Sequence, residues 1–273
     1  MPPAHAVITG GSSGIGLALG RRLAAAGWDL TILARDPDRL AEAREVLATA
    51  GAGQVVAHAI DVADDEGVGR AVREALETLG PPMLLVACAG MVVPGRFDEL
   101  PLAAFRRTME VNYLGTLHLV RAALPAMRAR GGGRIVMVAS GAALIGLYGY
   151  TAYAPSKFAV RGFAEALRSE LAPDGIAVSV VYPPDTDTPQ LREEVRQRPE
   201  ATSRVAATAR TLSADDVAAA ILRGVQRSRF TIAPGWEMSA LALLHSVVGP
   251  PLHRFWFDRR IKRLHRPLPS VRP

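Results

Sequence analysis

The sequence of 273 residues predicts an α/β fold in which one doubly wound parallel sheet is flanked by helices. Apolar, strand-like runs alternate with helical patterns along most of the chain. The runs are nearly continuous in Val, Ile and Leu, which is typical of strands buried on both faces of a parallel sheet. A glycine-rich segment joins the first run to the first helical pattern. We find no internal repeat or low-complexity segment, so these observations favour a single domain.

The elements are predicted in chain order from these patterns. Short apolar runs mark strands at residues 5–9, 30–34, 54–60, 83–89, 134–139, 177–182 and 230–233. Longer stretches with an apolar face mark helices at residues 14–27, 38–50, 64–79, 103–130, 153–171 and 215–227. Ser213 is a typical N-cap for the last helix. Asn112 lies within the long fourth helix, and because asparagine is a poor helix former, we expect a local distortion there.

Composition and charge limit the classes of protein to consider. Cys88 is the only cysteine, so no disulfide forms within the chain, which fits a reducing compartment. No charged and apolar leader precedes the first strand, so we expect no secretory signal and a cytoplasmic location. The net charge of +6 is concentrated in residues 254–273, where seven basic residues stand against Asp258. Such a basic tail indicates an anionic surface, either a membrane or a nucleic acid.

The glycine-rich segment predicts a binding site for a dinucleotide. Residues 9–16 read Thr-Gly-Gly-Ser-Ser-Gly-Ile-Gly, between the first strand and the first helix. Glycines let the backbone approach a pyrophosphate, and the helix N-terminus offers unpaired N–H groups to the anion. This position in a βα unit makes the fold Rossmann-like. The candidate contacts here are Gly10, Ser12, Ser13, Gly14, Ile15 and Gly16.

The end of the second strand indicates which dinucleotide binds. An NAD site usually has a carboxylate there, but this chain has Arg35 followed by Asp36. Arg35 suits a 2′-phosphate, with help from the hydroxyl of Ser12 or Ser13, so we predict NADPH. Alternatively, Asp36 turns inward and Arg35 is merely solvated. Asp61 and Val62, which close the third strand, are expected beside the adenine.

Tyr153 and Lys157 are the candidate catalytic pair. A spacing of four residues on a helix places both side chains on one face. An ammonium near a phenol stabilises the phenolate and lowers the pKa of the phenol, as proton exchange with an alcohol or ketone requires. Lys157 and Lys262 are the only lysines among 32 basic residues, so the choice of lysine at 157 favours a need for a compact ammonium. The alternative is a solvated polar pair on a helix surface.

The chain resembles the short-chain dehydrogenase/reductase family over residues 5–235. The resemblance depends on motifs in order: Thr9-Gly10-x3-Gly14-x-Gly16, Cys88-Ala89-Gly90, Asn112, Ser140, Tyr153-x3-Lys157 and Pro183-Pro184-x3-Thr188. It implies that Tyr153 is the general acid, that Ser140 polarises the substrate carbonyl, and that Lys157 binds the nicotinamide ribose. It also implies that Asn112 holds a water linked to Lys157. The further cofactor contacts that it implies are Ala89, Gly90, Tyr153, Lys157, Pro183, Thr186 and Thr188, and it implies no metal site.

One departure from the family pattern concerns the fourth strand. Cys88 stands where the family often has asparagine, so a side-chain hydrogen bond that stabilises the central strand is missing. We expect other contacts to hold this strand.

The substrate is suggested by a closer resemblance. Residues 182–189, Tyr-Pro-Pro-Asp-Thr-Asp-Thr-Pro, and residues 235–241 are similar to segments of 3-ketodihydrosphingosine reductases. This implies NADPH-dependent reduction of the C3 ketone of 3-ketosphinganine. The rivals are a reductase of another apolar ketone (a steroid, retinoid or 3-oxoacyl chain) and a non-catalytic NADP-binding regulator. A nucleic-acid role is disfavoured because the tail lacks a recognisable binding module.

We divide the chain into a dinucleotide-binding domain, residues 1–235, and an apolar and basic extension, residues 236–273. Residues 238–252 carry no formal charge but are too few to span a bilayer. We expect an amphipathic extension in peripheral contact with the cytoplasmic face of a membrane; alternatively, it packs on the body or a second subunit. Residues 186–211 are predicted as a lid or a surface helix. The resemblance implies a homo-oligomer formed through the helices beginning near 103 and 153.

Overall fold

Seven parallel strands form the central sheet of the computed structural model, which describes residues 4–206 and 210–251. The strands are β1 (His5–Thr9), β2 (Asp29–Ala34), β3 (Val55–Ala59), β4 (Leu84–Ala87), β5 (Gly133–Val138), β6 (Ile176–Val181) and β9 (Thr231–Ile232). Their order across the sheet is β3-β2-β1-β4-β5-β6-β9. The strand order reverses between β1 and β4, so a crevice opens there at the carboxyl edge of the sheet. The doubly wound sheet is therefore confirmed.

Helices cover both faces of this sheet. They are α1 (Gly14–Ala24), α2 (Pro37–Thr49), α3 (Asp65–Leu79), α4 (Leu102–Met109), α5 (Gly115–Arg130), α6 (Tyr153–Leu171), α7 (Pro189–Gln197), α8 (Glu200–Ala206), α9 (Ala214–Gln226) and α10 (Trp236–Pro251). Helices α1, α2 and α9 pack on one face, and α3, α5 and α6 pack on the other. The two hydrophobic cores enclose the strands, which explains why the strands are apolar throughout.

The long fourth helix predicted from the sequence is not continuous. Helix α4 ends at Met109, a π-helical turn covers Glu110–Leu114, and α5 begins at Gly115. Asn112 lies in this turn, so the expected distortion is confirmed. A π-helical turn accommodates an extra residue and changes the direction of the side chains that follow, as at many functional sites.

The segment that follows β6 contains more structure than the sequence indicated. Residues 186–213 hold α7, α8 and two short strands, β7 (Thr186–Asp187) and β8 (Leu212–Ser213), which pair in parallel. Residues 207–209, within the predicted lid, lie outside the described residues. The Ser213 hydroxyl accepts a hydrogen bond from the Asp216 N–H at 3.0 Å, so the predicted N-cap of α9 is confirmed.

Helix α10 packs on the body with one face only. Met238 is 6% exposed and joins the hydrophobic core together with Leu241 and Ala242. On the opposite face, Leu243 is 79% and Val247 72% exposed. None of the described helices combines the length and apolar character needed to cross a bilayer. The basic residues of the predicted extension, 254–273, lie outside the described residues.

Candidate active site

The glycine-rich turn between β1 and α1 lies at the carboxyl edge of the sheet. Gly10 has a φ of +68°, and its N–H donates to the Leu33 carbonyl at 2.7 Å. A Cβ at Gly16 would collide with the carbonyl oxygen of Gly10, so a side chain there would push the helix away from the turn. Ser13 is the N-cap of α1, yet its hydroxyl makes no capping hydrogen bond. The turn thus presents backbone and hydroxyl groups to the crevice, as the pyrophosphate of a dinucleotide requires.

The segment after β6 closes over this turn. A Cβ at Gly14 would lie 3.0 Å from the Thr188 methyl carbon, so Thr188 is brought directly beside the turn. The Pro183 carbonyl accepts a hydrogen bond from the Gly141 N–H at 3.1 Å. The Thr186 hydroxyl donates to the Pro184 carbonyl at 2.9 Å. The structure therefore gathers the predicted cofactor residues of both segments on the same side of the sheet.

The two residues after β2 have different roles. Asp36 is the N-cap of α2, and its Oδ1 accepts hydrogen bonds from the N–H groups of Asp38 and Arg39 at 3.1 and 3.2 Å. Asp36 is therefore occupied as a helix cap. Arg35 is exposed at the same edge, where a 2′-phosphate would be bound.

Asp61 and Val62 follow β3, as predicted. Asp61 accepts a hydrogen bond from the Ala63 N–H at 3.0 Å and is paired with Arg107. Burial opposes ionisation of Asp61, but the Ala63 N–H and the Arg107 guanidinium together lower the pKa of its carboxyl. Val62 is buried against the start of α5 at Gly115. Sequence patterns did not predict Arg107 as the partner of Asp61, because the two residues are 46 positions apart.

Ser140 and Tyr153 meet at the carboxyl end of β5. Ser140 caps the short 3₁₀ turn Gly141–Ala143, and its Oγ accepts a hydrogen bond from the Ala142 N–H at 3.1 Å. Tyr153 is the first residue of α6, and its hydroxyl lies near enough to that of Ser140 for Ser140 to lower the pKa of the phenol. Two hydroxyl groups in this arrangement can both reach one carbonyl oxygen.

Lys157 lies one turn along α6 from Tyr153, as the spacing predicted. Its side chain is buried, with Nζ 5.8 Å from the centre of the Tyr153 ring. Nζ donates a hydrogen bond to the Val138 carbonyl at 2.9 Å. Burial lowers the pKa of Lys157 to about 8, because the ammonium is removed from water.

The expected lowering of the Tyr153 pKa is not what the structure gives. Burial raises the pKa of Tyr153, and the neighbouring Ser140 hydroxyl only partly offsets this. The Lys157 Nζ lies 5.8 Å from the centre of the ring and donates to the Val138 carbonyl, and its charge is itself disfavoured by burial. The expected lowering of the Tyr153 pKa was therefore wrong for the protein without nucleotide. The spacing of Tyr153 and Lys157 in the sequence does not show how far burial removes either group from water.

Asn112 links three parts of the site. Its Oδ1 accepts a hydrogen bond from the Met91 N–H at 2.8 Å, and its Nδ2 donates to the Met91 carbonyl at 2.9 Å. Nδ2 also donates to the Ser156 hydroxyl at 2.8 Å. Ser156 in turn donates to the carbonyl of Tyr153 at 2.7 Å. Asn112 therefore fixes the loop after β4 against α6; its proposed water link to Lys157 stays a prediction.

Thr9 provides the contact that replaces the missing asparagine near β4. Its Oγ1 accepts hydrogen bonds from the N–H groups of Cys88 and Ala89 at 3.0 and 3.1 Å. The next residue, Gly90, is so close to the site that an added Cβ would lie 3.2 Å from Asn112 Oδ1 and 3.3 Å from Lys157 Nζ. The sequence analysis did not assign this role to Thr9, although its position directly before Gly10 was visible.

Comparison with known proteins agrees with this geometry. The family model described as short chain dehydrogenase matches residues 4–199. A 3-dehydrosphinganine reductase from Danio rerio is 42% identical over 245 residues, which cover 87% of this chain and 74% of that protein. A 3-ketodihydrosphingosine reductase from Bos taurus is 38% identical over 254 residues, covering 92% of this chain and 76% of that protein.

Solved structures share the fold. A short chain dehydrogenase/reductase from Burkholderia phymatum in complex with NAD has a TM-score of 0.81 and 27% identity, covering 92% of this chain and 95% of that chain. L-Sorbose reductase from Gluconobacter frateurii, complexed with NADPH and L-sorbose, has a TM-score of 0.77 and 29% identity, covering 86% and 97%. The chain belongs to the short-chain dehydrogenase/reductase family and is an oxidoreductase of that family.

Proposed function

We propose that this protein reduces the C3 ketone of 3-ketosphinganine to the alcohol, with NADPH as the reductant. The proposal depends above all on the neighbouring hydroxyl groups of Ser140 and Tyr153, which lie on the same side of the sheet as a turn that suits a dinucleotide. The substrate is inferred from relatives that are named for this reaction and that cover about nine-tenths of the chain.

The residues of the site divide the work of carbonyl reduction. When bound, the nicotinamide supplies a hydride to the carbonyl carbon. Ser140 donates a hydrogen bond to the carbonyl oxygen, where negative charge develops as that carbon is reduced. Tyr153 transfers its phenolic proton to the same oxygen, which completes the alcohol. A phenol with a raised pKa stays protonated at neutral pH, which suits a proton donor.

Lys157 has a supporting role in this mechanism. Because the pKa of Lys157 is lowered to about 8, its Nζ exchanges a proton more readily near neutral pH than an exposed lysine does. It also lies close enough to the ring of Tyr153 to stabilise the phenolate left after proton transfer. The Val138 carbonyl holds the ammonium in this place.

The preference for NADPH is inferred from the end of β2. Asp36 is used as the cap of α2, so it is not directed at a ribose 2′-hydroxyl. Arg35 is exposed at the edge where a 2′-phosphate would lie. The guanidinium group suits a phosphate because it offers several donors in one plane.

Peripheral contact with a membrane is proposed for α10. Its outward face carries large apolar side chains, Trp236, Leu243, Leu244 and Val247, all exposed. The opposite face of the helix is held on the body by Met238. Such an exposed apolar face on an anchored helix suits the headgroup region of a bilayer, from which a long-chain ketone would enter. The basic residues from 254 onward would add attraction to anionic lipids.

We also propose a homo-oligomer that forms through the surfaces of α4–α6. Leu102, Leu114 and Phe158 are exposed on these elements, and Phe97 is exposed just before them. Large apolar side chains close together on one surface are typical of interfaces. Sedimentation velocity of the full chain in the absence of lipid tests this proposal, since a monomer at micromolar concentration would contradict it.

The experiment that tests the reaction is a spectrophotometric assay of NADPH oxidation. The full-length protein is given 3-ketosphinganine, a steroid ketone or a 3-oxoacyl thioester in separate reactions. We expect turnover with 3-ketosphinganine and a loss of about 100-fold or more in Tyr153→Phe, with nucleotide binding retained. Turnover with only the other two ketones would assign the protein to the rival substrates. Full activity of Tyr153→Phe would contradict the proton-donor role.

A further inference from the structure

A buried ionic cluster lies beside the candidate active site, and none of the roles described above uses it. The guanidinium of Arg198 binds the Asp185 carboxylate through two hydrogen bonds of 2.7 and 2.9 Å. Its Nε donates to Glu194 Oε1 at 2.7 Å. The same Glu194 oxygen accepts a hydrogen bond from the Tyr150 hydroxyl. The Arg198 side chain is 4% exposed and that of Glu194 is 10% exposed.

The cluster joins three separate parts of the chain. Asp185 lies between β6 and β7, Glu194 is in α7, and Arg198 directly follows α7. Tyr150 belongs to the loop that leads into α6. A further hydrogen bond, from the Thr202 hydroxyl to the Tyr148 carbonyl at 2.9 Å, ties α8 to the same loop. The segment from β7 to α8 is therefore fastened to the loop that precedes the catalytic helix.

Tyr150 connects this cluster with the catalytic tyrosine. The rings of Tyr150 and Tyr153 meet edge to face, with their centres 5.6 Å apart and their planes at 67°. On its other side, Tyr150 faces the Arg198 guanidinium at 5.9 Å from the ring centre. A ring held by a hydrogen bond at its hydroxyl and by a cation over its face has little freedom to move. Its position therefore limits the positions open to Tyr153.

We propose that Arg198 is a positioning residue for the reaction, which holds the segment from β7 to α8 on Tyr150 and thereby fixes the Tyr153 ring where its hydroxyl meets Ser140. This inference rests on the proposed role of Tyr153 as proton donor. An arginine suits the task because its planar fork binds two carboxylates in fixed directions, which a lysine does not do. A buried ionic group of this kind adds little net stability, so its role is better sought in the arrangement that it specifies.

The same cluster acts on Tyr153 through its charges. The groups that face Tyr153 are Ser140, Lys157, Tyr150 and the three charged residues of the cluster. Besides burial, the carboxylates of Glu194 and Asp185 raise the pKa of Tyr153, whereas Arg198 lowers it. The cluster contains two carboxylates and one guanidinium. Arg198 therefore partly cancels the negative field of Glu194 and Asp185, which disfavours the Tyr153 phenolate.

This combination makes two opposite predictions for the pH dependence of alcohol oxidation, in which Tyr153 acts as the base. Removing the positive charge in Arg198→Met raises the pKa of Tyr153, and removing the negative charge in Glu194→Gln lowers it. We expect the midpoint of the rise in kcat with pH to move up in the first variant and down in the second. Each shift should be about half a pH unit or more, the size expected for a charge at this range in a partly buried site.

The measurement is NADP⁺ reduction with sphinganine, followed in the full-length protein from pH 6 to pH 11. The positive nicotinamide ring of bound NADP⁺ opposes the effect of burial on Tyr153 and brings its titration toward this range. The matched control is Arg196→Met, since Arg196 lies at the end of α7, two residues before Arg198. Its side chain is 76% exposed and pairs only with Glu193 among the ion pairs described. We expect Arg198→Met to lower kcat about tenfold at its best pH while the affinity for NADPH stays within about twofold. Arg196→Met should leave both kcat and the midpoint unchanged.

The proposal is overturned if the two midpoints move in the same direction, if neither moves, or if Arg198→Met keeps the wild-type kcat. Glu194→Gln preserves the shape of the side chain and the acceptor for the Tyr150 hydroxyl. If Arg198→Met does not fold, the downward shift of the kcat midpoint in Glu194→Gln still tests the proposal. Should wild-type protein leave sphinganine unchanged, 2-decanol replaces it as a simple secondary alcohol. In that case the substrate assignment has failed, while the opposite shifts still decide the role of Arg198.

Discussion

At the end of β2, the helix-capping contact of Asp36 decides which role is left for its neighbour Arg35. Asp36 follows Arg35 directly, and the sequence left open which of them faces a nucleotide. In the structure, Asp36 accepts hydrogen bonds from two N–H groups of α2, which leaves Arg35 as the exposed basic group at the end of β2. The sequence allows Asp36 to cap the helix that follows it. It does not show whether Asp36 caps that helix or turns inward toward the nucleotide.

Arg35→Ala tests the consequence of this arrangement. We expect the affinity for NADPH to fall about tenfold or more, because a charged hydrogen bond to the 2′-phosphate is lost. The affinity for NADH, which has no such phosphate, should change less than about twofold. Titration of intrinsic fluorescence with each nucleotide measures both. Arg39→Ala is the control, since Arg39 is exposed on α2 and pairs with Asp36; equal losses for both nucleotides in Arg35→Ala would exclude the phosphate contact.

The buried ammonium of Lys157 serves the proposed reaction but lowers the stability of the folded protein. Its pKa in the folded protein is lowered to about 8 from the ordinary value of 10.5, so the unfolded chain binds the proton more tightly. The free energy of unfolding therefore rises with pH in the window between these values. We expect the stability of wild type relative to Lys157→Met to increase by about 1 kcal/mol from pH 7 to pH 9.

Urea unfolding at both pH values measures this difference. Both proteins should carry Cys88→Ala, because burial raises the pKa of Cys88 to about 11 and its titration acts in the opposite direction. A constant difference between the two proteins from pH 7 to pH 9 would show that the ammonium of Lys157 is not destabilised by burial.

At the scale of secondary-structure elements, the π-helical turn Glu110–Leu114 places Asn112 between α6 and the loop after β4. The sequence predicted a distortion, because asparagine fits poorly inside a helix. It did not predict the partners, since Met91 and Ser156 approach only when β4, α5 and α6 have assembled. In the same way, β7 and β8 were not predicted because two-residue strands have no periodicity to detect.

Asn112→Ala should cost both stability and activity. It leaves the N–H and carbonyl of Met91 and the hydroxyl of Ser156 without their partner, which predicts a loss of about 2–4 kcal/mol in the free energy of unfolding. The matched control is Thr116→Val, which removes one local hydrogen bond to the Asn112 carbonyl and should cost about 1 kcal/mol. Urea unfolding measures the free energy of unfolding of both variants. Equal losses would contradict the proposal that Asn112 links α6 to the loop after β4.

At the scale of the whole molecule, the order of the seven strands determines where every functional side chain lies. Alternation of strands and helices predicted a parallel sheet and its carboxyl edge, and the chain places Gly10, Arg35, Asp61, Ala89, Ser140 and Pro183 at the ends of successive strands. The sequence therefore predicted which residues share the site. The raised pKa of Tyr153 and the Arg198 cluster were beyond it, because both result from burial by segments distant in the chain.

The exposed face of α10 yields a prediction for the molecule as a whole. We expect Leu243→Asp combined with Val247→Asp to reduce sedimentation with phosphatidylcholine–phosphatidylserine vesicles by about tenfold, since two charges would enter the headgroup region. Val46→Asp is the control, as Val46 is also exposed but lies on α2. Point substitutions are preferable to deletion of residues 235–273, because deletion removes Met238 from the core. Equal recovery of all three proteins in the supernatant would exclude the membrane contact.

The contact between Gly141 and Met238 links the last described helix to the catalytic serine. A Cβ at Gly141 would lie 2.9 Å from the Met238 terminal methyl carbon, and Gly141 is the neighbour of Ser140. The two positions therefore share one fixed volume, so in related proteins a larger residue at one should be accompanied by a smaller residue at the other.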